Sequence, residues 1–223
     1  MIIKRIIDIL VSLIGLIFLS PLMLIIYLLV RINLGGPAFF LQERVGKDNK
    51  VFKMIKFRTM RDARDKNGNL LSDNERVTKF GSFLRSFSLD ELPELINIFL
   101  GQLAIVGPRP FLVRDCVFMT DDQRKRHDVR QGLTGLAQVN GRNNITWEQK
   151  FEYDLKYIND GITLIGDIKI IFRTFGKVFE RSDTVREGTF SDVDFGDWLL
   201  MEGKVDQKTY DEKQLEANVL LEV

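Results

Sequence analysis

Residues 6–30 are apolar at every position except Asp8, Ser12, Ser20 and Tyr27. A run of roughly 18 or more mostly apolar residues fits a bilayer better than a water-soluble core. A secretory leader has a shorter apolar region, about 7–15 residues, followed by a small-x-small cleavage site. Neither condition holds, so the segment is expected to stay attached. As a straight helix rising about 1.5 Å per residue it would reach roughly 37 Å, enough to cross a hydrocarbon core of about 30 Å.

Two features point to a different course. Ser20-Pro21 lies inside the run, and proline removes a backbone donor while crowding the carbonyl four residues back, that of Ile17. The Ser20 hydroxyl can serve backbone groups freed by such a break. Lys4 and Arg5 precede the run and Arg31 follows it, so positive charge on both flanks gives the positive-inside rule no direction. A re-entrant helix–break–helix, entering and leaving by one face, accounts for both. A kinked spanning helix is the alternative.

The remaining composition restricts the chemistry. Lys and Arg number 32 against 31 Asp and Glu, for a net charge of +1, so global charge does not point to nucleic acid. One cysteine, Cys116, and one histidine, His127, leave too few ligands for a Cys/His zinc site. His127 falls in the charged run Arg124-Lys125-Arg126-His127 and reads as a solvated helix residue. Neither G-x-x-x-x-G-K-[ST] nor G-x-G-x-x-G occurs, which removes the common phosphate loops. Carboxylates, arginine, lysine or a metal on oxygen ligands must therefore carry any reaction.

Beyond the breaker cluster Asn33-Leu34-Gly35-Gly36-Pro37, two β-prone stretches flank the turn-rich residues 46–50 and predict a hairpin. Its second arm would carry Lys53 and Lys56, with Arg58 just after, as a basic strip. Residues 77–87 have helical spacing. Ser88 and Glu91 fit a capping box, although Pro93 moves the start of regular helix later, and either way Asp90 and Glu91 sit near a helix N-terminus. Residues 106–110, Val-Gly-Pro-Arg-Pro, read as an extended loop. Residues 121–130 read as a short charged helix, 132–135 as a turn, 137–142 as polar loop and 146–158 as a helix. Residues 163–179 are amphipathic, fit either to pack on a core or to lie in the headgroup plane. After Arg181 the chain turns polar and acidic, as a peripheral tail would. The fold expected is α+β, predominantly helical, with a short β-hairpin and interfacial amphipathic helices behind the membrane segment.

Acidic pairs at a helix start commonly serve only the dipole, at about 0.3–1 kcal/mol. Here Asp90-Glu91 has Arg85 nearby, Arg109 in a proline-fixed loop, and Lys56 and Arg58 on the hairpin. Arginine's planar fork suits phosphate. Mg²⁺ is usually held by one or two carboxylates together with substrate phosphates, and an aspartate can itself attack phosphorus.

These segments resemble one family. Ser20-Pro21, Lys56-Phe57-Arg58-Thr59-Met60, Arg85 followed by Ser88-Leu89-Asp90-Glu91-Leu92-Pro93, Val106-Gly107-Pro108-Arg109-Pro110, and Gly135 with Ala137-Gln138-Val139-Asn140-Gly141-Arg142 occur in the order seen in bacterial sugar transferases. These are the monotopic phosphoglycosyl transferases, and the chain looks most like small core-only members such as the bacillosamine-phosphate transferase of bacterial N-glycosylation. The resemblance covers roughly residues 1–185. It implies a re-entrant anchor (1–32), a catalytic domain (33–185) on the cytoplasmic face of the bacterial inner membrane, and an unassigned tail (186–223). It implies that Asp90 attacks the β-phosphate of a UDP-sugar, releases UMP and carries the sugar phosphate until polyprenyl phosphate takes it. Glu91 would orient the reacting groups, and Mg²⁺ would bridge Asp90 and the diphosphate. Lys56, Arg85, Arg109 and Arg58 are the expected phosphate contacts, and Gln138, Asn140 and Arg142 the candidates for nucleotide or sugar. Partners would be the donor, the lipid acceptor and the bilayer, with homo-oligomerisation left open and nucleic acid absent. Two other readings stay open: a membrane-attached, metal-dependent nucleotide-sugar hydrolase, and a non-enzymatic module binding anionic lipid.

Overall fold

The computed structural model describes residues 2–141, 145–180 and 193–222. Its elements, in chain order, are α1 (Ile2–Leu34), β1 (Phe39–Val45), β2 (Val51–Phe57), α2 (Asp73–Arg76), α3 (Lys79–Ser86), α4 (Glu94–Leu100), β3 (Ala104–Val106), α5 (Val113–Cys116), α6 (Asp121–Arg124), β4 (Gly132–Thr134), α7 (Leu136–Val139), α8 (Trp147–Asn159), α9 (Leu164–Glu180), α10 (Phe195–Met201) and α11 (Gln207–Glu222). The fold is mostly helical, with one two-stranded antiparallel sheet, one parallel strand pair and a long apolar helix at the N-terminus.

α1 is inside out by the standards of a soluble protein. Its polar residues Asp8 and Ser12 are buried, while Ile6, Leu10, Ile14, Ile17, Phe18 and Leu24 are exposed. That pattern suits a helix whose outer surface meets lipid, with polar groups turned onto protein. Arg5 Nη1 and Nη2 donate to the carbonyls of Ile98 and Phe99 at 2.7 and 2.9 Å. Asp8 Oδ1 accepts from the Ile105 amide at 3.2 Å, and Lys4 pairs with Asp167 on α9. Near the other end, Ile26 and Val30 join Ala38, Phe57 and Leu84 in a buried cluster. Both flanks of the apolar run therefore rest on the same body of protein.

The expected interruption at Ser20-Pro21 is not a gap in the helix, which continues through Pro21. Ser20 Oγ donates to the Ile17 carbonyl at 2.8 Å, supplying the acceptor that Pro21 cannot serve.

The hairpin forms as the turn residues direct, with Phe39 opposite Phe57 and Val45 opposite Val51. Asp48 and Asn49 take the left-handed conformation at its tip (φ 56° and 58°), which short polar side chains tolerate. The basic strip does not form as a strip. Alternation along β2 sends Lys56 to the side of buried Phe52 and Met54, and exposed Lys53 to the other.

Residues 132–135 are not a free turn. Gly132–Thr134 pairs in parallel with Ala104–Val106. A Cβ on Gly132 would lie 2.1 Å from the Gly107 amide nitrogen, so only glycine permits that approach. The charged segment after Thr120 is also shorter than a single helix: α6 ends at Arg124 and a 3-10 turn carries Lys125–Asp128.

The largest apolar cluster joins Val45, Phe111, Val113, Cys116, Trp147 and Phe151. The segment beyond residue 185, expected to be peripheral, adds Phe195 from α10 and Ala217 from α11 to this cluster. On α9, Asp167 and Ile170 are buried, whereas Ile165, Ile168, Phe172 and Phe175 are exposed. Ile170 and Ile171 pack with Val106, Val139 and Tyr157, while the rest of the helix's apolar surface stays outside the core.

Candidate active site

Three segments meet beside the second half of α1. From β2 comes Lys56; from the bend between α3 and α4 come Asp90, Glu91 and Glu94; from the loop after β3 comes Arg109. The bend starts at Ser88, whose φ of 54° is unusual for a residue with a side chain and costs about 1–3 kcal/mol. Ser88 makes no side-chain cap, so the predicted capping box is absent; Leu89–Glu91 form a 3-10 turn instead. Regular helix begins at Glu94, preceded by Pro93. Leu89 and Leu92, bracketing the acidic pair, pack on the cluster that contains Ile26 and Val30 of α1. The acidic pair is thus fixed to the membrane-type helix by its own neighbours.

Glu91 Oε1 accepts from Lys56 Nζ and from Arg109 Nη2, each at 2.9 Å. Lys56 Nζ also lies 3.2 Å from Glu94 Oε1. Asp90 is buried, and its carboxyl is pushed above the usual range first by burial and then by the negative charge of Glu91, against the pull of Lys56 and Arg85. Glu94 is pushed up to about 7 by burial, partly opposed by Lys56. Arg109 is held charged more firmly than a free guanidinium, chiefly by Glu91. Arg85 Nε donates to Thr59 Oγ1 at 2.9 Å and adds positive potential at Asp90.

Lys56, Arg85, Asp90, Glu91 and Arg109 are thereby brought together as the sequence suggested. Arg58 is not among them. Its guanidinium donates to the carbonyls of Met60 and Gly35 at 3.0 and 3.1 Å, tying the end of β2 to the turn after α1. Gln138 Nε2 donates to the Leu133 carbonyl at 3.0 Å. Asn140 donates to the Leu136 carbonyl at 2.8 Å and accepts from Arg173 at 2.9 Å. Both brace α7 against its neighbours, and Arg142 lies outside the described residues.

Sequence reasoning passed over two features. Glu94 follows Glu91 at i+3, a spacing that places both on one helix face; the dipole explanation for acids at a helix start obscured it. His127 was expected in solvent and is buried, and so is its neighbour Arg126. Arg126 Nε and Nη2 donate to Asp154 Oδ2 at 3.0 and 2.6 Å, and Nη2 also donates to the Arg109 carbonyl at 2.6 Å. Its guanidinium lies 3.7 Å from the centre of the Phe111 ring. His127 Nδ1 is 2.7 Å from Asn49 Oδ1, and burial lowers its pKa to about 3. A run of four basic or neutral-polar residues carried no signal that two of them turn inward.

The site collects hard oxygen donors and cations. Among the described residues no group of three or more Asp, Glu, His or Cys is arranged to hold a metal ion. A divalent ion would need substrate oxygens to complete its shell. One buried carboxylate, Asp90, together with a diphosphate is the mode in which Mg²⁺ is commonly held, so the donor set fits that ion.

A family model described as bacterial sugar transferase matches residues 1–181. The chain is 46% identical over 178 residues to an uncharacterized sugar transferase, EpsL, of Bacillus subtilis (strain 168), covering 80% of this chain and 88% of that one. It is 43% identical over 189 residues to a UDP-glucose:undecaprenyl-phosphate glucose-1-phosphate transferase of Klebsiella pneumoniae, covering 80% of this chain but only 40% of that larger protein. It is 37% identical over 193 residues to the exopolysaccharide production protein ExoY of Sinorhizobium fredii (strain NBRC 101917 / NGR234), covering 78% and 84% of the two chains.

Proposed function

The chain belongs to the bacterial sugar transferase family, and from that premise we propose that it transfers a sugar 1-phosphate from a UDP-sugar to polyprenyl (undecaprenyl) phosphate, releasing UMP. The observation that carries this reading is the position of Asp90. A buried carboxylate, adjoined by Lys56, Arg85 and Arg109, is fixed through Leu89 and Leu92 to a helix with a lipid-type surface. A polyprenyl phosphate keeps its chain in the bilayer and its phosphate at the surface, so the reacting group must sit at that depth.

In the proposed first step an Asp90 carboxylate oxygen forms a bond to the donor's β-phosphorus. The anhydride bond to the α-phosphate breaks, and UMP leaves with that electron pair. In the second step an oxygen of the polyprenyl phosphate attacks the same phosphorus and Asp90 departs as carboxylate. Asp90, with the donor's phosphate oxygens, would hold Mg²⁺, which would supply Lewis-acid withdrawal of charge from the diphosphate. Lys56, Arg85 and Arg109 meet the phosphate oxygens, and Glu91 keeps Lys56 and Arg109 aligned through its two 2.9 Å contacts. Asp90 attacks only when ionised. Burial and Glu91 work against that ionised form, and Lys56 and Arg85 favour it.

The anchor is proposed to be re-entrant, with the domain on the cytoplasmic face of the bacterial inner membrane. The exposed apolar side of α9 would lie in the headgroup plane beside it. The test is a panel of UDP-sugars scored for UMP release, with carrier lipid supplied and lipid extracts assayed for sugar phosphate. Label in the lipid phase, together with one added sugar phosphate on the Asp90 peptide when carrier is withheld, is the expected result. Asp90→Asn should reduce both by at least about 10³-fold. Free sugar phosphate formed at the same rate with and without carrier would identify a hydrolase and sink the proposal.

A further inference from the structure

Lys56 is divided between two acids. Its Nζ donates to Glu91 Oε1 at 2.9 Å and lies 3.2 Å from Glu94 Oε1. The second contact is an ion pair made by an oxygen, Glu94 Oε1, that is itself buried. Glu94 is 2% exposed. The charged groups around it are Lys56 on β2, Glu91 on the 3-10 turn, Arg109 in the loop after β3, and Arg44 on β1. α1 also packs on α4, but its Arg5 is bonded at the other end, to the carbonyls of Ile98 and Phe99.

With every group ionised, the carboxylates of Asp90, Glu91 and Glu94 face four cations, Lys56, Arg85, Arg109 and Arg44. In the absence of a divalent ion, a diphosphate ester brings about two further negative charges into this low-dielectric place, where uncompensated charge is costly. A second anion also competes for the one ammonium that Glu91 and Glu94 share. The least costly response is to neutralise Glu94, the more buried of the two acids, since Glu91 keeps its bond from Arg109.

We propose that Glu94 is a proton-taking positioning residue: when a nucleoside diphosphate binds ahead of a divalent ion, the Glu94 carboxylate takes one proton from solvent, its ionic hold on Lys56 lapses, and the ammonium turns to the phosphates. The inference rests on the donor class proposed above. No bond other than the new carboxyl O–H is made or broken. Burial already pushes Glu94 up to about 7, so the proton is within reach near neutral pH. Binding linked to proton uptake weakens as pH rises, by up to about tenfold in affinity per pH unit above the free group's pKa.

The experiment is calorimetric titration of the full chain in detergent with UDP at about pH 8, with EDTA present to exclude divalent ions, in buffers of different ionisation enthalpy, which counts protons taken up on binding. The wild type should take up more protons per UDP than Glu94→Gln, by a difference approaching about one. The nucleotide's own titration is common to both proteins and cancels in that difference. UDP affinity should fall from about pH 7 to about pH 9 more steeply for the wild type than for Glu94→Gln. If Glu94→Gln fails to fold, Lys56→Gln serves: without the ammonium Glu94 is already protonated, and the extra uptake should vanish. Equal proton counts, parallel affinity curves, persistence of uptake in Lys56→Gln, or failure of UDP to bind would each overturn the inference. A purely structural Glu94 would leave the proton count unchanged. The transfer reading fails separately: it is refuted by absence of UMP release from any UDP-sugar, whatever the calorimetry gives.

Discussion

Arg126 illustrates how much of the site depends on a residue that touches no substrate. Its guanidinium is wholly buried, shares Asp154 Oδ2 through two hydrogen bonds, and spends Nη2 also on the carbonyl of Arg109. Removing one partner of a buried pair leaves a charge without compensation, at a cost of about 3–5 kcal/mol, whereas replacing both by apolar groups of similar volume is often neutral. Asp154→Leu alone should therefore lower the unfolding free energy by that amount, measured by denaturant titration in detergent. The double variant Arg126→Met with Asp154→Leu should recover most of the stability. It should not recover activity, because the Arg109 loop still lacks its anchor and Arg109 no longer meets Glu91 in register. Full recovery of UMP release in the stable double variant would show that Arg126 has no positioning role.

At the level of elements, α10 and α11 are held by a small polar latch on α5. Asp115 Oδ1 accepts from the amides of Phe195 and Gly196 at 2.8 and 3.4 Å, and Arg114 Nη2 donates to Asp197 at 2.8 Å. Burial first, and the charge of Asp194 second, push Asp115 up to about 7. A carboxyl raised in the folded state stabilises fully below its unfolded value of about 3.9, and that stability is lost as pH rises through the folded value. Asp115→Asn does not titrate and its amide oxygen can still accept. The variant should thus gain on the wild type by on the order of 2–4 kcal/mol between about pH 4 and pH 8 in matched melts, and a constant difference would contradict the raised value. The sequence offered no hint of this docking. Polar and acidic residues around Phe195 and Trp198 look like a solvated tail because their partners, Asp115 and Arg114, lie some eighty residues away. The hairpin was legible for the opposite reason: its turn residues and its apolar arms are neighbours in the chain. So were the acidic pair and Arg109, whose motifs are local. What local patterning misassigned was the parallel pairing of β3 with β4, the inward turn of Arg126 and His127, and the diversion of Arg58 to backbone carbonyls. Each is decided by a contact distant in sequence.

For the whole molecule, the question is how a helix of bilayer-crossing length can also hold one domain at both ends. Lys4, Arg5 and Asp8 bind α9, α4 and β3, while Ile26 and Val30 pack beside Phe57 and Leu84. A straight crossing would put these two sets of contacts on opposite sides of roughly 30 Å of hydrocarbon, and one domain cannot reach both. The outward side of α1, from Ile6 to Leu28, is apolar, so its middle is suited to meet lipid. The proposed entry and exit by the same face would meet both requirements, and Pro21, with Ser20 Oγ on the Ile17 carbonyl, lies between the two sets of contacts in a helix that continues through it. The prediction is topological. Native Cys116 is buried and should be silent to impermeant maleimide. Cysteines placed at Ile2 and Asn33, both exposed, should then label together in inside-out membrane vesicles and stay protected together in sealed right-side-out ones. Labelling of one from each side would mean that α1 crosses the membrane, and Asp90 would then need some other means of meeting a lipid phosphate at the surface.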